Sequence, residues 1–112
     1  MGFWRREVID FALDSQTRQA MAEQEAWIAA EPANPRPYYQ LALLYRTQAK
    51  QDEALGLLLE AVRLDPGLVP AHTALAEIYA VRADLKAAQR HADLAAAGGD
   101  PQARLMLLRY NP

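Results

Sequence analysis

The chain has 112 residues, 52% of them hydrophobic, and twelve Lys and Arg against fourteen Asp and Glu give a net charge of −2. That length suits one domain with a modest core, and the balanced charge, without a basic block, excludes a nucleic-acid partner that binds through a run of phosphates. Cysteine is absent, which excludes disulfides, thiolate metal ligands and a cysteine nucleophile.

Ala and Leu are abundant while Thr, Val and Ile are few, a composition that favours helix over strand. The N-terminus turns charged at Arg5 and Arg6, and no apolar run reaches signal-peptide length or the roughly 18 residues of a membrane span. A cytoplasmic location is therefore expected.

Thirty-four residues separate Leu41, Ala42, Tyr45, Ala54 and Ala61 from Leu75, Ala76, Tyr79, Ala88 and Ala95, the length of one helix–turn–helix unit. The first period, residues 1–34, reads as a degenerate unit, because Trp4, Phe11, Ala20 and Pro32 fall one period before Tyr38, Tyr45, Ala54 and Pro66. Glu7, Val8 and Gln24 break its pattern, and Trp27 stands where a small residue is wanted. Its first dozen residues are either a looser helix or an ordered arm.

Residues 35–68 form the clearest unit. Pro37 suits a first helical turn, and Leu41, Leu44 and Tyr45 follow at helical spacing. After the polar break Lys50-Gln51-Asp52, a second helix carries Ala54, Leu58, Ala61 and Val62 on one side and stops at Asp65-Pro66-Gly67. Residues 69–102 repeat the scheme: Pro70 opens, Leu75, Ala76, Ile78 and Tyr79 form a stripe, and Ala83-Asp84-Leu85 turns the chain. Ala88, Ala92 and Ala95 face the partner helix before Gly98-Gly99-Asp100-Pro101 ends the unit. Within residues 103–112 the helix starting at Gln102 continues to Tyr110, with Leu105, Met106 and Leu108 covering the open end.

Tyr38, Leu41, Ala42, Tyr45, Ala54, Leu58, Ala61 and Pro66 together resemble the motif of the tetratricopeptide repeat family. His72 in place of the aromatic and Ala92 in place of Phe or Leu are departures in the third unit. The resemblance spans nearly the whole chain and implies an all-α, right-handed α-solenoid of antiparallel helix pairs. It would comprise three repeats, the first degenerate, and a C-terminal capping helix.

It also implies a non-enzymatic interaction scaffold whose first helices line a concave groove. The groove residues that follow are Arg5, Ile9 and Leu13 from the first unit, Arg36, Tyr39, Leu43, Arg46 and Thr47 from the second, and Thr73, Glu77 and Val81 from the third. Apolar residues interleaved with Arg and Tyr suit a peptide or helix of a protein partner. One family branch grips a C-terminal carboxylate with Lys, Arg and Asn, but the matching positions here hold Arg5, Ile9, Gln40, Pro70 and Ala74. Ile, Pro and Ala cannot make those hydrogen bonds, so a different ligand is expected.

His72 and His91 are the only imidazoles. Their helices are expected to turn them to different faces, His72 packed and His91 solvated, so no metal site and no cofactor are expected. Asp52, Glu53, Asp65, Asp84 and Asp100 are explained as turn or capping residues, and no phosphate loop, nucleophile elbow or zinc motif occurs. The run Leu55, Leu57, Leu58, Leu59 and the run Leu105-Met106-Leu107-Leu108 must each leave apolar surface outward, which makes self-association into a homo-oligomer the alternative function.

Overall fold

A computed structural model describes the backbone of residues 2–109 and the side chains of residues 14–109. Among the described residues there are six helices, α1 (Gly2–Ala30), α2 (Pro35–Thr47), α3 (Gln51–Leu64), α4 (Val69–Val81), α5 (Leu85–Ala97) and α6 (Gln102–Leu107), and no strand.

Polar side chains support the starts of α2, α5 and α6, whereas α3 and α4 begin without a side-chain cap. Asn34 Oδ1 accepts from the Arg36 amide at 3.0 Å ahead of Pro35 on α2, and Asp84 Oδ1 accepts from the Ala87 amide at 3.2 Å on α5. Asp100 Oδ1 accepts from the Gln102 amide at 3.0 Å at the start of α6. Each cap satisfies an amide that the first helical turn leaves unpaired. Asp65 instead closes the loop between the units, its Oδ1 accepting from the Gly67 amide at 3.0 Å.

The repeat extends to the turns. Ala49 and Ala83, one period apart, both take positive φ, at 60° and 63°. In each turn the following amide reaches back to the tyrosine carbonyl of the helix just ended, Lys50 to Tyr45 at 3.0 Å and Asp84 to Tyr79 at 2.9 Å. These bonds reverse the chain in three residues and set α3 against α2 and α5 against α4 as antiparallel pairs.

Small residues form the seams. Ala42, Ala54, Leu58, Ala61, Ala71, Ala74, Leu75 and Ile78 make one buried cluster across α2, α3 and α4, flanked by half-buried Tyr38, Tyr45 and Tyr79. A second, of Ala76, Ala80, Ala88, Ala92, Ala103 and Leu107, joins α4, α5 and α6. Alanine lets the helix axes approach while Leu, Ile and Tyr fill the remaining gaps. Gly98 marks another close approach, because a Cβ there would sit 2.2 Å from Val69 Cγ2.

The first period differs from expectation. Residues 2–30 are one continuous helix with no turn inside, so the degenerate helix pair expected in 1–34 is not formed. Ser15 and Gln16, one period before Ala49 and Lys50, lie within this helix, and the adjacent Asp14–Arg18 ion pair at 3.2 Å supports it at helical spacing. Trp27, half-buried where the pair would need an alanine, is too large for a second helix at seam distance. The C-terminal half of α1 packs on α2, with the Tyr38 hydroxyl donating to the Pro32 carbonyl at 2.8 Å and Gln48 Nε2 3.2 Å from Met21 Sδ.

Candidate functional site

The predicted groove residues fall into three sets. Arg5, Ile9 and Leu13 lie on α1 outside the residues whose side chains are described. Arg36, Tyr39, Leu43, Arg46 and Thr47 lie on α2, and Thr73, Glu77 and Val81 on α4. Arg36, Thr47 and Val81 are exposed, and Tyr39, Leu43, Arg46, Thr73 and Glu77 are half-buried.

Arg46 and Glu77 meet: Arg46 Nη2 donates to Glu77 Oε2 at 3.0 Å, a partly shielded rung between α2 and α4. A ligand carboxylate must therefore displace Glu77 or bind beside it. Thr73 Oγ1 donates to Asp100 Oδ2 at 2.7 Å, and this bond, followed by the one from the Gln102 amide, holds the Asp100 carboxyl below its ordinary range. Thr47 is turned to its own helix, its hydroxyl donating to the Leu44 carbonyl at 2.7 Å. Tyr39 rests on the first core cluster.

The histidines overturn their expectation. They do not face apart, and His91 is not solvated: both are buried, each 4% exposed, with Nδ1 atoms 3.0 Å apart. His72 Nε2 lies 2.7 Å from the Pro66 carbonyl, which can only accept, so His72 carries its proton on Nε2 and offers Nδ1 as acceptor. His91 must then donate from Nδ1, which leaves its buried Nε2 as an acceptor without a partner among the described residues. Tyr79 stacks on the His91 ring at 5.6 Å and 7°. Burial first, then neighbouring His72 and Arg90, lower the His91 pKa to about 4.

The sequence held the signal for this pair. His91 stands beside Ala88, Ala92 and Ala95 on the packing stripe of α5, and any residue on that stripe faces α4. As for metals, no group of three or more His, Asp or Glu converges among the described residues.

Antiparallel helix pairs stacked through alanine seams and tied across neighbouring units by an Arg–Glu rung define an all-α helical-repeat protein. Among its solved likenesses are structures of MamA. The chain aligns with the crystal structure of MamA at TM-score 0.70 and 20% identity, over 85% of this chain and 55% of that one. It aligns with MamA 41-end from Desulfovibrio magneticus RS-1 at 0.66 and 27%, over 87% and 56%, and with the MamA RS-1 ArsTM double mutant at 0.68 and 27%, over 85% and 53%. The chain thus spans about half the length of these solved chains. No family model and no curated protein matches it. The tetratricopeptide-like character stands at the level of fold.

Proposed function

We propose that this chain is a non-enzymatic protein–protein interaction module that holds a peptide or helix of its partner along α2 and α4. The observation that carries this reading is the Arg46–Glu77 rung, because it makes the two helices neighbours on the side where Tyr39, Leu43 and Val81 also stand. Tyr39 and Leu43 supply apolar contact, exposed Arg36 takes an acidic group, and the rung offers one partner of each sign. Arg5, Ile9 and Leu13 extend the same proposal onto α1, and likeness to helical-repeat structures supports it as a scaffold.

The test is a peptide-library selection against the chain, followed by calorimetric titration of a selected peptide into Tyr39→Ala and Arg46→Glu. Loss of about tenfold or more in affinity with unchanged helical circular dichroism supports the reading. Undiminished binding to both variants overturns it.

Exposed leucines favour a second reading, self-association. Leu59 is 39% exposed, Leu105 55% and Leu108 63%. Leu57 and Leu107 are not the residues to test, because Leu57 packs on the first cluster and Leu107 is buried in the second. Replacing Leu59 and Leu105 with Glu yields a monomer by light scattering if this reading holds, and an unaltered oligomer rejects it.

A further inference from the structure

We propose a second docking surface, on the outer side of α5, that takes an acidic amphipathic helix of another protein. Two adjoining hollows lie there. One, of about 530 Å³, is lined by Leu85, Lys86, Gln89, Arg90, Asp93 and Leu107. The other, of about 500 Å³, is lined by Tyr79, Asp84, Lys86, Ala87 and Arg90. Lys86 and Arg90 belong to both, so two cations one helical turn apart stand on the ridge between them.

Lys86 and Arg90, like Arg36, Lys50 and Arg109, are in no ion pair among the described residues, whereas Arg18, Arg46, Arg63, Arg82 and Arg104 each hold a carboxylate. The apolar part of the first hollow is two leucines among polar neighbours: Leu85 is exposed at one rim, and Leu107 contributes where α6 meets α5. Carboxylates one turn apart on a ligand helix match Lys86 and Arg90, and a leucine on the same face fills the space between Leu85 and Leu107.

The acids nearby decide between a helix and a membrane. Asp84 lines one hollow and Asp93 the other, so they bracket the cation pair. Asp93 is already paired with Arg104 at 3.3 Å, so a uniformly anionic surface laid over this site meets Asp84 as its unpaired like charge among the described residues. A helix places its acids only where the cations stand.

The probe is a synthetic amphipathic helical peptide with a leucine stripe flanked by glutamates, titrated into the full chain by fluorescence anisotropy. An analogue with glutamine for glutamate, a lysine analogue, and phosphatidylglycerol vesicles form the other arms. Saturable binding of the glutamate peptide is expected, weakening with salt and falling about tenfold or more in the double variant Lys86→Glu, Arg90→Glu. Both positions are exposed, so the variant retains its helical spectrum, and the lysine analogue should bind it in place of the glutamate peptide. Tyr39→Ala should leave this affinity unchanged, which separates the surface from the α2–α4 site. Equal binding of wild type and double variant, no binding at all, or stronger binding to the vesicles than to the peptide overturns the proposal.

Discussion

His91 has the most distinctive environment of any described side chain, and its consequence is a dependence of stability on acid. The folded chain holds the imidazole neutral down to about pH 4, whereas an unfolded histidine takes up its proton near the ordinary value of 6.5. Between those values the unfolded state binds more protons, so stability is full above about 6.5, falls as the pH drops through the window, and levels off below about 4. A loss of roughly 2 kcal/mol is expected, less than the full separation of the two pKa values would give, because solvent and nearby charges screen the site. Urea titrations of wild type and His91→Phe at pH 7 and pH 4.5 check it: the variant should lose less stability on acidification, and equal losses would exclude His91 as the acid-sensitive group. The alanines at positive φ give a second expectation, since Ala49→Gly or Ala83→Gly relieves left-handed strain and should stabilise the fold by about 0.5 kcal/mol or more. Thermal melts of the single variants measure it, with Ala22→Gly, exposed in the interior of α1, as the destabilising control.

At the scale of helices, the energetics lie in the seams. Leu58, fully buried between α3 and its neighbours, should cost roughly 2–5 kcal/mol when cut to Ala. Gly98→Ala should cost about 1–3 kcal/mol, because the added Cβ meets Val69 where α5 ends against the start of α4. Denaturant unfolding tests both, and a neutral Gly98→Ala would mean that Val69 turns aside freely. The sequence made α2 to α5 legible because alanine and leucine recur at a fixed period, with a cap at Asn34 and Asp84 and a breaker at Asp65-Pro66-Gly67. It misled at α1, where period matches at Trp4, Phe11, Ala20 and Pro32 said nothing of a turn at Ser15, and the bulk of Trp27 was the better guide. The α6 helix is also shorter than expected, ending at Leu107, and Tyr110 lies outside the described residues.

For the whole molecule, a stack of helix pairs presents long side surfaces whose ligands are set by residues outside the repeat pattern. That is why the fold could be read from the sequence while the site could be read only in part. Arg46 and Glu77 were each expected at a groove from the sequence, whereas their mutual ion pair could be seen only in the folded chain. Lys86 and Arg90 carry no repeat signal, and their significance emerges only once α6 closes the hollow beside them. The most direct test of binding along α2 and α4 is amide chemical-shift mapping of the isotope-labelled chain during titration with a library-selected peptide. Perturbations should concentrate on those two helices, around Tyr39, Leu43, Arg46 and Glu77. Perturbations confined to α3, or to α6 and its exposed leucines, would contradict a groove formed by α2 and α4.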